Sequence, residues 1–320
     1  MEMRYERFSM SKLAKRPIAT ILMMTVLLPL TDAGASQRSG FYFGADIGVS
    51  VPNDLESTRT NNGIGTNCDQ WLGADTLNDG TTVPLPLEQC SPRALPKRAT
   101  KFDLGTGLLA GVNLGYAFHD FRLEAEYFRR AQSGERSALN VPGDPKQAEF
   151  VERSEKISDF RADNFFANVY YDFHDMLSAN LTPYVGVGLG VMHVQMDYSG
   201  TSIRTNNSDT LQALGRNRHA AGLASLADET LSDTLFGYQW IAGLDYAWSE
   251  RFSVGLKFRY GDTFNNFKDG DNAWKPLRGH ASTVGPPGTP GGDLPIRYAI
   301  QAKNLSFFGI SLNLKYYFNM

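Results

Sequence analysis

The stretch that decides the fold is "NLSFFGISLNLKYYFNM", residues 304–320. From Phe308 onward, Phe308, Ile310, Leu312, Leu314, Tyr316 and Phe318 alternate with Gly309, Ser311, Asn313, Lys315 and Tyr317. A period of two marks a β-strand with one apolar face and one polar face. The chain as a whole has a mean hydropathy of -0.31, yet this is its most regular apolar stripe. What the stripe faces is therefore the first question.

The same alternation recurs upstream and predicts eight strands, near 41–50, 103–118, 121–131, 160–173, 182–197, 235–248, 251–261 and 304–318. Their connections alternate in length. His119-Asp120, a stretch near 174–180 and Ser249-Glu250 are short, whereas 51–102, 132–159, 198–234 and 262–303 are long. Short turns at one end and long loops at the other characterise outer-membrane barrels. Aromatics gather at the short-turn ends of the apolar faces: Tyr116, Phe118, Phe121, Tyr171, Phe173, Tyr246, Trp248, Phe252, Tyr316 and Phe318. They read as a periplasmic girdle at the membrane–water boundary. Further from the turns the same faces read as mostly aliphatic.

The opposite faces carry glycines and the charges Asp46, Arg122, Glu124, Glu126, Asp172, Asp245, Lys257, Arg259 and Lys315. A soluble barrel with the bulky stripes inside would be overfilled, since eight strands enclose room for one packed layer. The sequence therefore predicts an all-β, eight-stranded antiparallel up-and-down transmembrane β-barrel with four long extracellular loops. Its stripes face lipid and its charges face the lumen. In a narrow interior those charges must pair. They form either a structural plug or a charge-lined pore whose pairs rearrange.

The first 35 residues are read apart from the fold. Arg4, Arg7, Lys12, Lys15 and Arg16 precede the apolar run Ile18–Leu30, and Ala33-Gly34-Ala35 precedes Ser36. This is the pattern of a secretory signal peptide cleaved between Ala35 and Ser36. It leaves 36–320 as a single barrel domain. A net charge of -3 gives no reason to expect nucleic acid as a partner.

The two cysteines, Cys68 and Cys90, share the first long loop, and export predicts that they form a disulfide. In the chain-entropy model, closing that loop contributes roughly 3 kcal/mol. Histidines 119, 174, 193, 219 and 280 are scattered. His193 lies in a strand but lacks the serine two residues on that a lipid-deacylase pattern needs. "GVGLG" (186–190) lacks the spacing and following helix of a dinucleotide motif. The sequence thus gives no catalytic, cofactor or metal site. Near Met192 and His193 the alternation blurs, which suggests a bulge.

In order and spacing, "FRLEAEYF", "NVYYDF", "LTPYVGVGLGV" and "FGYQWIAGLDYAWSERFSVGLKFRYGD" resemble the OmpA-like and opacity-type outer-membrane β-barrel families. The rickettsial major surface antigen family is the nearest of these, and the likeness covers about residues 40–318. The resemblance implies a bacterial outer-membrane protein with roles in adhesion, immune recognition or weak porin activity. It implies outer-membrane lipid and the barrel assembly machinery as partners, with a host or other extracellular ligand meeting the loops. Unlike full-length OmpA proteins, the chain is expected to carry no periplasmic peptidoglycan-binding domain, because nothing follows the last strand. The assembly machinery reads an aromatic final strand, and here Phe318 is followed by Asn319 and Met320.

Overall fold

The computed structural model describes residues 38–61, 74–76, 82–84, 98–133, 136–138, 150–174, 176–177, 180–214, 221–222, 224–276 and 297–318. The expected signal peptide and both cysteines lie outside the described residues. Everything described belongs to one compact unit, residues 33–320.

Eight antiparallel strands form a closed ring. They are β1 (Gly40–Pro52), β2 (Gly107–Phe118), β3 (Phe121–Gln132), β4 (Phe150–Asp172), β5 (Leu181–Arg204), β6 (Ala224–Ala247), β7 (Phe252–Thr263) and β8 (Phe307–Tyr317). Sequence neighbours pair throughout, and β8 closes the ring on β1, with Tyr42 opposite Tyr317 and Val51 opposite Phe308. Closure leaves no unpaired backbone edge in the ring, which a lipid environment requires. In the β2–β3 turn His119 takes a positive φ of 51°.

The apolar stripes point outward, as expected. Ile47, Leu108, Leu189, Phe236, Trp240 and Leu312 are all strongly exposed on the outer surface. Exposed bulk of this kind is stable only against a non-aqueous surrounding.

The strands do not stop where the lipid-facing pattern stops. β4, β5 and β6 run to 23, 24 and 24 residues, well beyond the expected bounds. On the other half of the ring, four shorter strands continue β7, β8, β1 and β2 beyond a break. These are Phe267–Ala273, Arg297–Lys303, Leu55–Asn61 and Arg98–Phe102, which form a four-stranded sheet in that same order. Gly105 and Asn304, both at positive φ, stand at two of the breaks. At a third, Asn53 N donates to Ser306 O at 3.0 Å. Part of what the sequence predicts as extracellular loop is therefore a second β storey above the membrane.

This storey has the opposite sidedness. Its inward residues, including Phe102, Phe160, Met192, Val194, Met196, Leu231, Phe267, Ile300 and Leu305, make one buried apolar core. Outward, Arg129 holds Asp163 through two bonds of 2.7 and 2.9 Å, and Thr230 donates to Asp197 at 2.8 Å. The expected bulge near Met192 is absent: β5 keeps register with both neighbours from Tyr184 through Asp197. What blurs there is polarity. Met192 faces inward and His193 outward because the strand passes from lipid to water at that height. Leu104, at the head of the predicted 103–118 strand, is buried in the upper core for the same reason.

Candidate functional site

The lumen is where the fold concentrates chemistry. All nine charges expected there are buried. Large inward side chains lie over glycines that are their cross-strand partners on the adjacent strand. A Cβ at Gly188 would lie 2.0 Å from Asn168 Oδ1, and one at Gly255 would lie 2.1 Å from Asp245 Oδ1.

Two clusters are stacked along the axis. Near the short turns, Arg122 donates through Nε to Asp172 at 3.0 Å and through Nη1 to Asp245 at 3.2 Å. Lys315 Nζ reaches the same Asp245 at 2.6 Å. The Arg122 guanidinium lies 4.6 Å from the ring centre of Tyr184 and 4.9 Å from that of Tyr170. Higher up, Lys257 Nζ sits among Asp46 at 3.3 Å, Glu126 at 3.0 Å and Glu124 at 3.6 Å, and Arg259 Nη2 joins Glu126 at 3.0 Å. Neutral donors complete the carboxylates. Tyr42 and Tyr170 hydroxyls donate to Glu124, Asn113 to Asp46, and Asn168 and Gln239 to Glu126. Burying these charges is costly, and ion pairing with added hydrogen bonds from neutral side chains offsets part of that cost.

A cavity of about 40 Å³ opens among Arg38, Asp172, His174, Asp245, Ser253 and Tyr317 at the short-turn end. Room of this size suits a few waters.

Alternation continued past Glu126 would have added Phe128, Arg130 and Gln132 to the lumen, which the sequence reading stopped short of. Arg130 is fully buried, with its guanidinium 3.6 Å from the Phe307 ring centre. The upper storey holds a second group that sequence reasoning missed. Arg59 pairs with Glu155 at 2.6 Å, donates to Tyr198 Oη at 2.9 Å and lies 4.7 Å from the Trp274 ring centre. Thr100 donates to the other Glu155 oxygen at 2.5 Å. This group ties the four-stranded sheet to β4 and β5. It was illegible because its members lie far apart in sequence, in segments read as loop.

The aromatic residues of the expected girdle are all outward and none is buried. Phe41 packs on Tyr116, Phe121 on Tyr171 and Phe252 on Tyr316, with ring centres 4.8, 5.3 and 5.0 Å apart. A second band, where aliphatics were expected, crosses the far end of the lipid-facing surface. It pairs Tyr127 with Phe165, Tyr260 with Phe308 and Tyr238 with Phe264. Together the two bands bracket the apolar surface as interfacial rings do. His193 lies outward just beyond the upper band, with Nδ1 2.9 Å from Thr234 Oγ1 and Nε2 3.2 Å from Gln195.

A closed eight-stranded ring with an apolar exterior and an ion-paired interior defines a membrane-spanning β-barrel. The chain belongs to the outer membrane protein beta-barrel domain family, whose pattern it matches over residues 19–285. Its location is the bacterial outer membrane. Outer membrane protein PagN of Salmonella typhimurium (strain LT2) is 26% identical over 219 residues, which is 65% of this chain and 77% of the relative. Among solved structures, the outer membrane protein OprG of Pseudomonas aeruginosa is similar at 13% identity and a TM-score of 0.43, covering 89% of this chain and 99% of that one. Neisserial surface protein A is similar at 16% identity and a TM-score of 0.36, covering 88% and 98% respectively.

Proposed function

We propose that this outer-membrane barrel is a non-catalytic surface antigen or adhesin-like scaffold. A rigid, plugged barrel presents its extracellular storey and long loops to ligands outside the cell. The observation that carries this reading is the apolar core stacked directly on the paired lumen charges. A solute moving along the axis would have to displace both layers, and an ion would have to leave water for hydrocarbon-like surroundings. Binding then falls to the exposed loops, where rigid scaffolds usually place it. His193 supports the non-catalytic part, because its hydrogen bonds go to the uncharged Thr234 and Gln195. Outer-membrane lipid and the barrel assembly machinery are its partners in the membrane, and nucleic acid is not among its ligands.

The test compares cells displaying the intact chain with cells displaying a form whose segments 62–97, 139–149 and 277–296 are replaced by short Gly-Ser links. Adhesion to host-cell monolayers should be present in the first and lost in the second. Steady single-channel openings of the purified protein in planar bilayers, abolished by lumen substitutions, would instead make it a small-solute channel. Loss of lipid A hydrolysis in a His193→Ala variant would make it an enzyme.

A further inference from the structure

The fifth base of the lumen behaves unlike the other four. Arg122, Lys257, Arg259 and Lys315 each touch at least one carboxylate. Arg130, fully buried, has no ion pair among the described residues. Its one polar contact is a long Nη2 approach to Met192 Sδ at 4.0 Å, and its Nε and Nη1 have no hydrogen-bond acceptor. Just across the lumen Arg259 uses Nη2 on Glu126, while its own Nε and Nη1 are also without acceptors. The two guanidinium groups flank one pair of rings. Arg130 lies on Phe307 at 3.6 Å and Arg259 on Phe128 at 4.2 Å, and those ring centres are 6.1 Å apart.

Arginine does not escape the cost of burial by losing its proton. Stacking on a phenyl ring compensates part of its charge, but it satisfies no N–H. Above the pair begins the apolar core, so the surroundings strengthen whatever charge is placed there. Counted over the whole lumen, Arg130 balances five carboxylates with five bases. The imbalance is therefore local. Positive charge and unfilled donors are concentrated at one height, where Glu126 bonds Arg259 only through Nη2 and no carboxylate reaches Arg130 among the described residues.

We propose that Arg130 and Arg259 form an internal binding site for one small inorganic anion of the halide class, at the junction of the ion-paired lumen and the apolar storey. The anion accepts from the free guanidinium N–H groups and ties the two storeys together electrostatically. Phe307, Phe128 and Met192 lie beside the two guanidinium groups, an apolar setting that favours a weakly hydrated anion.

Bromide is the probe. Crystals of the intact wild-type protein grown in sodium bromide should show an anomalous peak within hydrogen-bonding reach of Arg130 Nε or Nη1. In detergent, bromide titrated against gluconate at constant ionic strength should raise the wild-type unfolding temperature saturably, and Arg130→Met should lose that rise. Ordered water on those donors, with bromide found only at the surface, would overturn the proposal. So would an unfolding temperature indifferent to the choice of anion. The crystallographic arm uses the wild type alone, so it decides the matter even if Arg130→Met fails to fold.

Discussion

The membrane-spanning half of the barrel and the storey above it are made from the same strands, yet they are built in opposite senses. Along β5, Gly186, Gly188 and Gly190 face inward while Val185, Val187 and Leu189 face lipid. A few residues later Met192, Val194 and Met196 face inward while His193, Gln195 and Asp197 face water. The backbone register never changes between them. Alternation is thus a property of the strand, and the sign of the alternation is a property of the solvent. Lipid demands apolar groups outside and allows a paired polar interior. Water demands the reverse, with an apolar core closed by the four-stranded sheet. Stacking the two senses end to end sets an apolar core on an ion-paired lumen.

The comparison breaks most visibly in the lumen. Lys257→Met leaves Asp46 and Glu126 with Arg259 as their remaining close base and takes away the ion-pair partner of Glu124. It should cost about 3–5 kcal/mol in denaturant unfolding from detergent micelles, as removal of one partner from a buried pair does. A loss well under ~1 kcal/mol would mean that the lumen is solvated like an open channel.

The upper core is tested by Phe160→Ala. It should cost about 3–5 kcal/mol because a cavity is left behind. Leu312→Ala on the lipid face should cost about 2 kcal/mol, the transfer contribution alone, since acyl chains refill the space. Equal losses per atom removed would erase the distinction between the halves.

Charge on the outer surface should then report height. Leu312→Arg is expected to cost about 2–4 kcal/mol, and Ser232→Arg in the upper storey no more than about 1 kcal/mol. Both are measured by the same unfolding assay in lipid bilayers.

The smallest effect concerns pH. Burial pushes the Tyr198 and Tyr298 phenols of the upper storey above their ordinary value, with Arg59 acting in the other direction on both. The stability they contribute is complete below the unfolded-state value near ~10. It declines as pH rises toward the folded-state values, because the unfolded chain gives up those protons first. Alkaline titration should therefore loosen the upper storey. Phenolate absorbance alongside trypsin cleavage of the upper strands would follow this, and upper strands that stay resistant to trypsin after their phenols ionise would contradict it.

The sequence made the membrane half legible because a period of two with bulky stripes, alternating connection lengths and terminal aromatics all have one reading. Every charge it assigned to the lumen is there. Their partners were not readable, since Arg122 meets Asp245 across 123 residues and register across a barrel is not encoded locally. The upper storey was illegible for a different reason. Its apolar residues sit at inward positions, so the stripe of constant parity blurs near Met192, and the strand beyond 197 reads as loop. Arg130 was lost at the same boundary.

The most direct measurement of the inversion is spin-label accessibility along the outer face of β5. Single cysteines would be placed at 185, 187, 189, 193, 195 and 197 in a Cys68→Ser, Cys90→Ser background reconstituted in lipid. The first three labels should collide preferentially with oxygen dissolved in the bilayer, and the last three with a water-soluble nickel chelate. A chelate-accessible label at Val187, or a lipid-embedded one at Asp197, would contradict the account.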